Sequence, residues 1–512
     1  FILAIPPTEP TLRAAIICWV FCLALILSKN PNSFNSLSLS AIILLLIKPT
    51  SIFNAGFQLS FACVLGILIF YRYFEMLLAT HIIDPFFNGL KNQNYFSKIL
   101  RQFSLYITAM FATGLGAWFG SAGILLYSFS TIQPLAALWT ILISPFVAVI
   151  LIAGFAKIIL FFILPTVADL LAKLAISLCD IMINLVKFMA NLDTSTILIG
   201  KTSVFIIIFY YAFILFARYA RLENFKLKNR LSIISVILII ASIAITKYHN
   251  THPKDFTLHV LDIGHGQAIL AQSPNAKTIL FDCGSITRSN IGKKTVNPFL
   301  ENLGISSINA LIISHNDLDH INGLCEVANE KKFKSILTSQ AFIDDTAISN
   351  TAKKISTFFE TKNLKLKNFD DSLTLSENIT IKKIWPVGNF STDKTISDND
   401  RSIVTLIECN SRKILICADI TQPAQKQLLL TYPDLKCDIL VAPHHGSANT
   451  INCDFLKQLS PEFIIVSCGQ TQYEKNRVIK TNPGSKFYYT PRDGYIRASI
   501  SKTNQVTFST YK

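Results

Sequence analysis

Two histidines and two aspartates occur within six residues of one segment, and their side chains are of the types that bind divalent metals. The segment follows the apolar run 310–314 and reads His315, Asn316, Asp317, Leu318, Asp319, His320. Imidazole nitrogen and carboxylate oxygen together suit a borderline ion such as zinc or manganese. Four such groups so close together would repel one another or remain unpaired without a cation between them. The sequence therefore predicts that His315, Asp317, Asp319 and His320 bind metal.

Two further apolar runs end in the same kinds of side chain. Residues 413–418 lead to Asp419, and residues 438–442 lead through a proline to His444 and His445. These runs have the length and composition of buried strands, whose neighbouring ends lie about 5 Å apart. We therefore expect the loops to meet and to hold two divalent ions, Zn²⁺ or Mn²⁺, a centre suited to displacement at phosphorus. The sequence leaves open which of the two histidines is the ligand.

Taken one at a time, such residues have simpler interpretations. A single aspartate in a turn usually caps a helix or faces solvent. Histidines without metal-binding neighbours are interpreted as structural or surface residues, and these are His81, His249, His252 and His259. The metal interpretation is favoured where several ligand types follow one buried strand.

The elements that must position these residues belong to the second part of a chain with two unlike halves. Residues 1–250 contain seven of the 32 acidic side chains and 17 of the 47 basic ones. A change this abrupt indicates lipid around the first half and water around the second, so we predict a membrane domain over 1–250 and a soluble domain over 251–512. The soluble half carries a surplus of about +5, which permits nucleic-acid binding without demanding it. The 11 cysteines include no C-x-x-C pair, which argues against a cysteine zinc site.

Long apolar stretches in the first half predict seven to nine membrane passes. The loop Arg218–Arg230 contains five basic residues and one acidic residue, which predicts that it is cytoplasmic. The last pass would then place the soluble domain outside the cytoplasm. The chain opens on Phe1 without a secretory leader, and we expect that an upstream part of the protein precedes it.

In the second half, short strand-like runs alternate with helical ones, a pattern typical of a layered α/β domain. No G-x-x-x-x-G-K-[ST] sequence is found in the chain, so we expect any ATP-driven motor to be another protein.

Both halves resemble the ComEC competence family. In the first half the resemblance lies in Leu12–Ala15 and Gly56–Phe61, which are similar to pieces of the family's competence domain. In the second half it lies in six segments similar to the family's metallo-β-lactamase-fold domain: Leu261–Gly264, Leu280–Gly284, Ser314–His320, Asn399–Ser402, Ala418–Ile420 and Pro443–Ser447.

The resemblance implies a polytopic α-helical membrane domain followed by an α/β metallo-β-lactamase-like αββα sandwich. It implies DNA uptake across the inner membrane in natural transformation, with a metal-dependent phosphodiesterase domain degrading one strand. The implied partners are DNA, the lipid bilayer, a DNA receptor and a cytoplasmic ATPase, and the channel could be an oligomer.

The resemblance also assigns roles to single residues. It makes Asp419 the bridging carboxylate and the last ligand one of His444 and His445. Asp282 matches an acid that supports the ligand loop, and Asp400 matches a segment bordering the site. The metal set is His315, Asp317, Asp319, His320, Asp419, His444 and His445, and the catalytic set is Asp319, Asp282 and Asp400.

The chain departs from the family pattern at three places. It has His265-Gly266-Gln267 where the family commonly has Gln-Gly-Asp, and Ala418 where the family commonly has glycine. Residues 473–476 lack the histidine of the family's Tyr-Gly-His-Pro. These departures keep alternatives open: a catalytically decayed or incomplete remnant, or a membrane-anchored metallohydrolase acting on another ester.

Overall fold

The computed structural model describes residues 9–26, 32–88, 95–192, 194–220, 225–370, 372–391, 393 and 395–512. The chain divides into two compact units, Phe1–Thr246 and Lys247–Lys512.

The first unit is helical. Its described α-helices, the last of which continues into the second unit, are α1 (Glu9–Ile26), α2 (Ser33–Ile47), α3 (Ala55–Leu78), α4 (Asp84–Asn88), α5 (Tyr95–Phe129), α6 (Ala136–Leu160), α7 (Pro165–Ala190), α8 (Val204–Tyr219) and α9 (Phe225–Thr251). One short antiparallel pair, β1 (Thr131–Ile132) with β2 (Ile197–Leu198), joins two of the interhelical turns.

Four helical segments in the described part of the chain are long and apolar enough to cross a membrane. They are Ala55–Phe87, Tyr95–Phe129, Ala136–Leu160 and Arg230–Thr251. The number is smaller than the seven to nine passes expected from sequence. Apolar helices α1, α2 and α8 are shorter, and α7 carries charged side chains along its length. The first half is therefore an α-helical membrane domain.

Glycines allow α3 and α5 to pack closely. A Cβ atom on Gly120 would lie 2.1 Å from the carbonyl oxygen of Ala62, and one on Gly66 would lie 2.3 Å from the carbonyl oxygen of Gly116. The hydroxyl of Tyr211 on α8 donates to the carbonyl oxygen of Gly120 at 2.8 Å. Close backbone approach between helices is a common way to pack segments in lipid, where apolar side chains alone give little preference for one another.

The connection between α6 and α7 spans residues 161–164, directly before Pro165. The described residues between 75 and 102 belong to the end of α3, a π-helical turn, α4 and the start of α5. Residues 221–224 of the basic loop and residues 1–8 lie outside the described residues.

The second unit contains seventeen strands and nine further α-helices among the described residues. Its strands are β3 (Phe256–Val260), β4 (Gly266–Gln272), β5 (Thr278–Ser285), β6 (Ser307–Ile308), β7 (Ala310–Ile312), β8 (Lys332–Phe333), β9 (Ile336–Thr338), β10 (Leu366–Asn368), β11 (Ser372–Ser376), β12 (Ile379–Trp385), β13 (Val404–Cys409), β14 (Arg412–Ile416), β15 (Ile439–Val441), β16 (Phe463–Val466), β17 (Lys486–Tyr489), β18 (Tyr495–Ile500) and β19 (Val506–Tyr511). Its helices are α10 (Asn297–Asn302), α11 (Leu318–Ile321), α12 (Leu324–Glu330), α13 (Gln340–Asp345), α14 (Asn350–Thr361), α15 (Gln422–Thr431), α16 (Cys453–Leu459), α17 (Gln470–Glu474) and α18 (Thr490–Asp493).

Two large sheets and two helical layers form an αββα sandwich. One sheet has the order β10-β9-β7-β5-β4-β3-β18-β19 and the other has the order β11-β12-β13-β14-β15-β16-β17. Alternate residues of each strand face opposite layers. In β14, for example, Ile414 and Ile416 belong to the core between the sheets, whereas Leu415 packs towards the helices. Both faces of the central strands are therefore buried, and the predicted metallo-β-lactamase-like fold is confirmed.

The sandwich brings the predicted ligand loops together from two different sheets. β7, which precedes His315, lies in the first sheet, and β14 and β15 are parallel neighbours in the second. The loops therefore meet across the edge of the sandwich, and not, as the sequence predicted, only as the neighbouring ends of strands in one sheet.

Candidate metal centre

Four side chains from three loops form one buried cluster. Asp319, His320, Asp419 and His445 each offer a ligand atom, and these atoms all lie within 4.8 Å of one another. His320 Nε2 lies 3.1 Å from Asp419 Oδ1, and His445 Nε2 lies 3.2 Å from Asp319 Oδ2. Two imidazoles and two carboxylates in this arrangement can hold a divalent metal ion.

The far nitrogen of each clustered histidine is held by an acceptor. His320 Nδ1 lies 2.8 Å from the carboxylate of Asp282, and His445 Nδ1 lies 3.0 Å from the carbonyl oxygen of Ser467. Because both partners are acceptors, Nδ1 of each ring carries a proton, which leaves Nε2 as the atom that can offer a lone pair to a cation in the cluster. Histidines that bind metals are usually oriented in this way.

The carboxylates of the cluster remain ionised. Burial alone would raise the pKa of Asp319, but the hydrogen bond to His445 and the charges of His320 and His445 lower it to about 2. Burial opposes ionisation of Asp419 too, and the same two imidazoles hold its pKa well below the ordinary value. Burial would lower the pKa of His320, but Asp419 and Asp282 raise it well above the ordinary value. A cation entering the cluster would displace protons from these imidazoles.

Several buried polar atoms at the cluster lack good hydrogen bonds to one another, and a cation could bind them instead. His315 Nε2, His320 Nε2 and Asp419 Oδ1 are buried and make no hydrogen bond of good geometry within the described chain, although His320 Nε2 and Asp419 Oδ1 lie 3.1 Å apart. Buried polar atoms are nearly always paired in native proteins. These atoms converge on one place, as the ligand atoms of a metal ion must. The residues present therefore fit a metal ion.

His315 and Asp317 lie beside the cluster. The ring of His315 is 4.3 Å from that of His320, and its Nε2 lies 3.3 Å from Asp317 Oδ2. The side chain of Asp317 is 46% exposed, so it borders the open side of the site. The structure thus brings both residues near the four-residue cluster without placing them in it.

The side chains of the adjacent residues His444 and His445 lie in different places. Both adopt left-handed backbone conformations, with φ of 47° at His444 and 53° at His445. His445 is buried in the cluster, whereas His444 lines an adjoining cleft of about 650 Å³. Of the two predicted ligands, only His445 faces the carboxylates.

The cleft is bordered by residues from several loops. Those that matter for charge are Arg288, Lys475 and Arg477. Arg288 is already paired with Asp262 at 3.0 Å. Lys475 and Arg477 are exposed, so the cleft presents positive charge beside the cluster.

Asp282 and Asp400, both predicted as catalytic, are placed behind the cluster. Asp282 accepts from the backbone and hydroxyl of Ser314, at 2.7 Å each, as well as facing His320. Asp400 accepts from the backbone and hydroxyl of Thr421, at 2.8 Å each, two residues beyond Asp419. These contacts place both aspartates against the loops that carry the predicted ligands.

His265 also lies at the site, although it is not among the residues predicted from the sequence. Its Nε2 lies 3.5 Å from Asp319 Oδ2, and its ring lies 4.5 Å from that of His445. Burial lowers the pKa of His265, and the nearby His445 lowers it further. The sequence did contain a signal for His265, which lies between two glycines directly after a buried strand. A loop of this kind can approach another backbone closely.

The structure shows the contacts made at two of the positions that depart from the family pattern, Gln267 and Ala418. Gln267 donates from Nε2 to Asp282 Oδ2 at 2.9 Å, so the amide supports the buried carboxylate. Ala418, directly before Asp419, has φ of 45°, a conformation that glycine adopts more easily than alanine. Its carbonyl oxygen accepts from the backbone N–H of His444 at 2.9 Å, which ties the two ligand loops together.

Comparisons with known proteins agree with both halves of this description. A family model described as "Competence protein" matches residues 2–223, and one described as "Anti-Pycsar protein Apyc1" matches residues 264–442. ComE operon protein 3 of Bacillus subtilis (strain 168) is 23% identical over 480 residues, which is 90% of this chain and 56% of that protein. The first part of the chain therefore matches the competence-protein family model, and the chain is similar to a competence protein over most of its length.

Competence protein ComA of Neisseria gonorrhoeae, another relative, is 23% identical over 241 residues, or 47% of this chain and 31% of that protein. The chain thus spans about half the length, or less, of these curated relatives.

Solved structures similar to the chain include Zn²⁺-bound PqqB from Methylobacterium extorquens and a diphosphatase of the PhnP family. The first is 10% identical with a TM-score of 0.26, covering 36% of this chain and 72% of that one. The second is 14% identical with a TM-score of 0.28, covering 46% of this chain and 94% of that one. At these TM-scores the matches do not constrain the activity.

Proposed function

We propose that this chain takes part in DNA uptake across the inner membrane during natural transformation, and that its second unit is a metal-dependent phosphodiesterase acting on one DNA strand. The observation that carries the proposal is the buried cluster of Asp319, His320, Asp419 and His445 in a chain whose residues 2–223 match the competence-protein family model. The relatives' names associate the family with competence.

The cluster residues would hold the ion, and their neighbours would fix its position. Asp282 and the carbonyl oxygen of Ser467 keep the two imidazoles turned with Nε2 towards the carboxylates. Bound there, a divalent cation supplies Lewis-acid stabilisation of the charge that develops on phosphoryl oxygens. A second ion would be held by His315 and Asp317, with Asp419 shared, since the His315 ring adjoins the cluster.

The cleft beside the cluster suits a phosphodiester strand. Lys475 and Arg477 are exposed there, and both can contact phosphate oxygens without reading base identity. A weakly specific, charge-based contact is what a nuclease acting on arbitrary sequence requires.

The membrane half would place the enzyme where incoming DNA arrives. Arg218–Arg230 is the basic loop before the last candidate span, and the positive-inside rule makes it cytoplasmic. The protein would then be a multi-pass inner-membrane protein with its second unit outside the cytoplasm. Its partners in the channel would be a DNA receptor, a cytoplasmic ATPase and further copies of itself. A reporter fused after Lys512 tests this: activity of a cytoplasmic reporter would contradict the orientation.

The nuclease proposal is tested with the full chain in detergent, stripped of metal and resupplied with Mn²⁺ or Zn²⁺. End-labelled linear DNA should be cleaved by the wild type, and the Asp319→Ala variant should lose that cleavage. Asp454→Ala is the matched control, since Asp454 is an exposed aspartate on α16. No metal-dependent cleavage, or equal cleavage by Asp319→Ala, would contradict the proposal.

The decayed-remnant alternative has its own observation. Gln267 stands where the family commonly has an acid, and Lys475 falls within the segment that lacks the family's histidine. This alternative predicts that the cluster binds metal while DNA remains uncut in the same assay.

A further inference from the structure

His265 is held rigidly at the mouth of the cluster by its backbone. Its N–H donates to the hydroxyl of Thr287 at 2.9 Å, and its carbonyl oxygen accepts from the N–H of Ile286 at 3.0 Å. Gly266 follows with φ of 151°, and a Cβ there would lie 2.6 Å from the carbonyl oxygen of Asp319. The loop therefore presses against the backbone of a ligand residue, and only glycine permits that approach.

The ring of His265 is oriented like those of the two clustered histidines. Its Nδ1 lies 3.0 Å from the carboxamide oxygen of Gln472, which can only accept a hydrogen bond. Nδ1 therefore carries the proton, and Nε2 turns its lone pair to Asp319 Oδ2, 3.5 Å away. A lone pair and a carboxylate facing each other at this distance gain nothing from a direct contact. A cation between them would satisfy both.

Asp319 Oδ2 is shared between two imidazoles. His445 Nε2 lies 3.2 Å from it on one side and His265 Nε2 lies 3.5 Å from it on the other, with the two rings 4.5 Å apart. The side chain of His265 is 25% exposed, so it faces both the cluster and the cleft.

We infer that His265 is an additional protein ligand of the metal centre and binds the ion jointly with Asp319 and His445. The inference rests on the proposed metal centre and extends its ligand set beyond the residues that the resemblance assigns. An extra imidazole in place of a neutral amide favours Zn²⁺ over Mn²⁺, because imidazole suits zinc and carboxylate oxygen suits manganese. The residue at 265 thus sets the metal preference of this chain.

Metal affinity of the full chain in detergent tests this without any assay of hydrolysis. The apoprotein is titrated with Co²⁺, followed by its visible absorption, and Zn²⁺ and Mn²⁺ affinities are obtained by competition. His265→Gln should weaken Zn²⁺ binding by about 10-fold or more, change Mn²⁺ binding less, and alter the Co²⁺ spectrum. The control His249→Gln replaces an exposed histidine near the end of α9 and should leave all three unchanged.

Asp319→Ala separates failure of the inference from failure of the metal centre. If this variant loses Co²⁺ binding while His265→Gln keeps wild-type affinity and spectrum, His265 is not a ligand and the inference is overturned. If neither variant affects binding, both the inference and the proposed centre are overturned.

Gln472→Ala provides a second route if His265→Gln does not fold. It leaves the ring in place and removes only the acceptor at Nδ1, so a smaller loss of Zn²⁺ affinity is expected, and Gln472→Glu should restore it. Wild-type affinity in Gln472→Ala together with an unchanged Co²⁺ spectrum would count against the inference.

Discussion

The carboxylate of Asp282 lies 2.8 Å from Nδ1 of His320, and both side chains are fully buried. Asp282 has φ of 53°, a left-handed backbone conformation inside β5 where the pairing with β4 shifts register. A charged acceptor on a ligand histidine fixes its tautomer and increases its basicity. This contact therefore connects a strand of the first sheet to the donor strength of His320 in the proposed metal centre.

Asp282→Asn should weaken Zn²⁺ binding by about 10–100-fold, because an amide removes the negative charge behind His320. Zn²⁺ competition against a chromophoric chelator measures the effect. Asp454→Asn is the control, since that aspartate is exposed on α16. Equal Zn²⁺ affinities in the wild type and in Asp282→Asn would show that this contact does not affect metal binding.

The adjacent histidines 444 and 445 should differ sharply in metal binding. His445→Gln removes a nitrogen that lies 3.2 Å from Asp319 Oδ2 and should abolish tight Zn²⁺ binding. His444→Gln changes a side chain that lines the cleft and should leave Zn²⁺ affinity within about 2-fold of wild type. Calorimetric titration of the two variants distinguishes them, and the opposite ranking would contradict the assignment of His445.

The substitution Ala418→Gly should lower the free energy of unfolding unusually little for a buried alanine. Replacing a buried alanine by glycine ordinarily costs about 1–2 kcal/mol through chain entropy and loss of a buried methyl group. At Ala418 the φ of 45° strains the alanine, so relief of about 1 kcal/mol should offset most of that loss.

Ala424→Gly, at a buried position in α15 without positive φ, is the matched comparison and should show the full loss. Hydrogen exchange of the β14 amides in urea would give both changes in the free energy of unfolding. Equal destabilisation by the two substitutions would exclude strain at Ala418.

His259 should make the second unit less stable in acid. Burial and the nearby Arg497 lower its pKa to about 3, against about 6.5 in an unfolded chain. Between these values the unfolded state binds the proton and the folded state does not, so this residue's contribution is complete above pH 6.5 and is lost as pH falls towards 3. The loss attributable to it is about 1.4 kcal/mol for each pH unit within that window.

His259→Gln removes this titration while leaving a polar side chain beside Tyr495, whose hydroxyl lies 2.5 Å from His259 Nδ1. The free energy of unfolding of the variant should therefore depend less steeply on pH between 4 and 6. Parallel pH profiles for wild type and variant would contradict a neutral buried imidazole.

The candidate ligands could be predicted from the sequence because the pattern that identifies them is local along the chain. Apolar runs of strand length end in Asp419 and in the His444–His445 pair, and the structure finds strands there, β14 and β15. The change in acidic content near residue 250 likewise identified two environments, because lipid excludes charge whatever the tertiary arrangement.

Tertiary structure decided which residues meet. His265 and Asp319 are 54 positions apart, and their contact depends on the positive φ of Gly266, on the packing of that loop against Asp319 and on Gln472. The choice of His445 over His444 is made by two consecutive left-handed residues that turn one ring inwards and the other into the cleft. Strand patterns that are apolar on both faces do not specify which sheet a strand joins, so only the folded sandwich could bring these loops together.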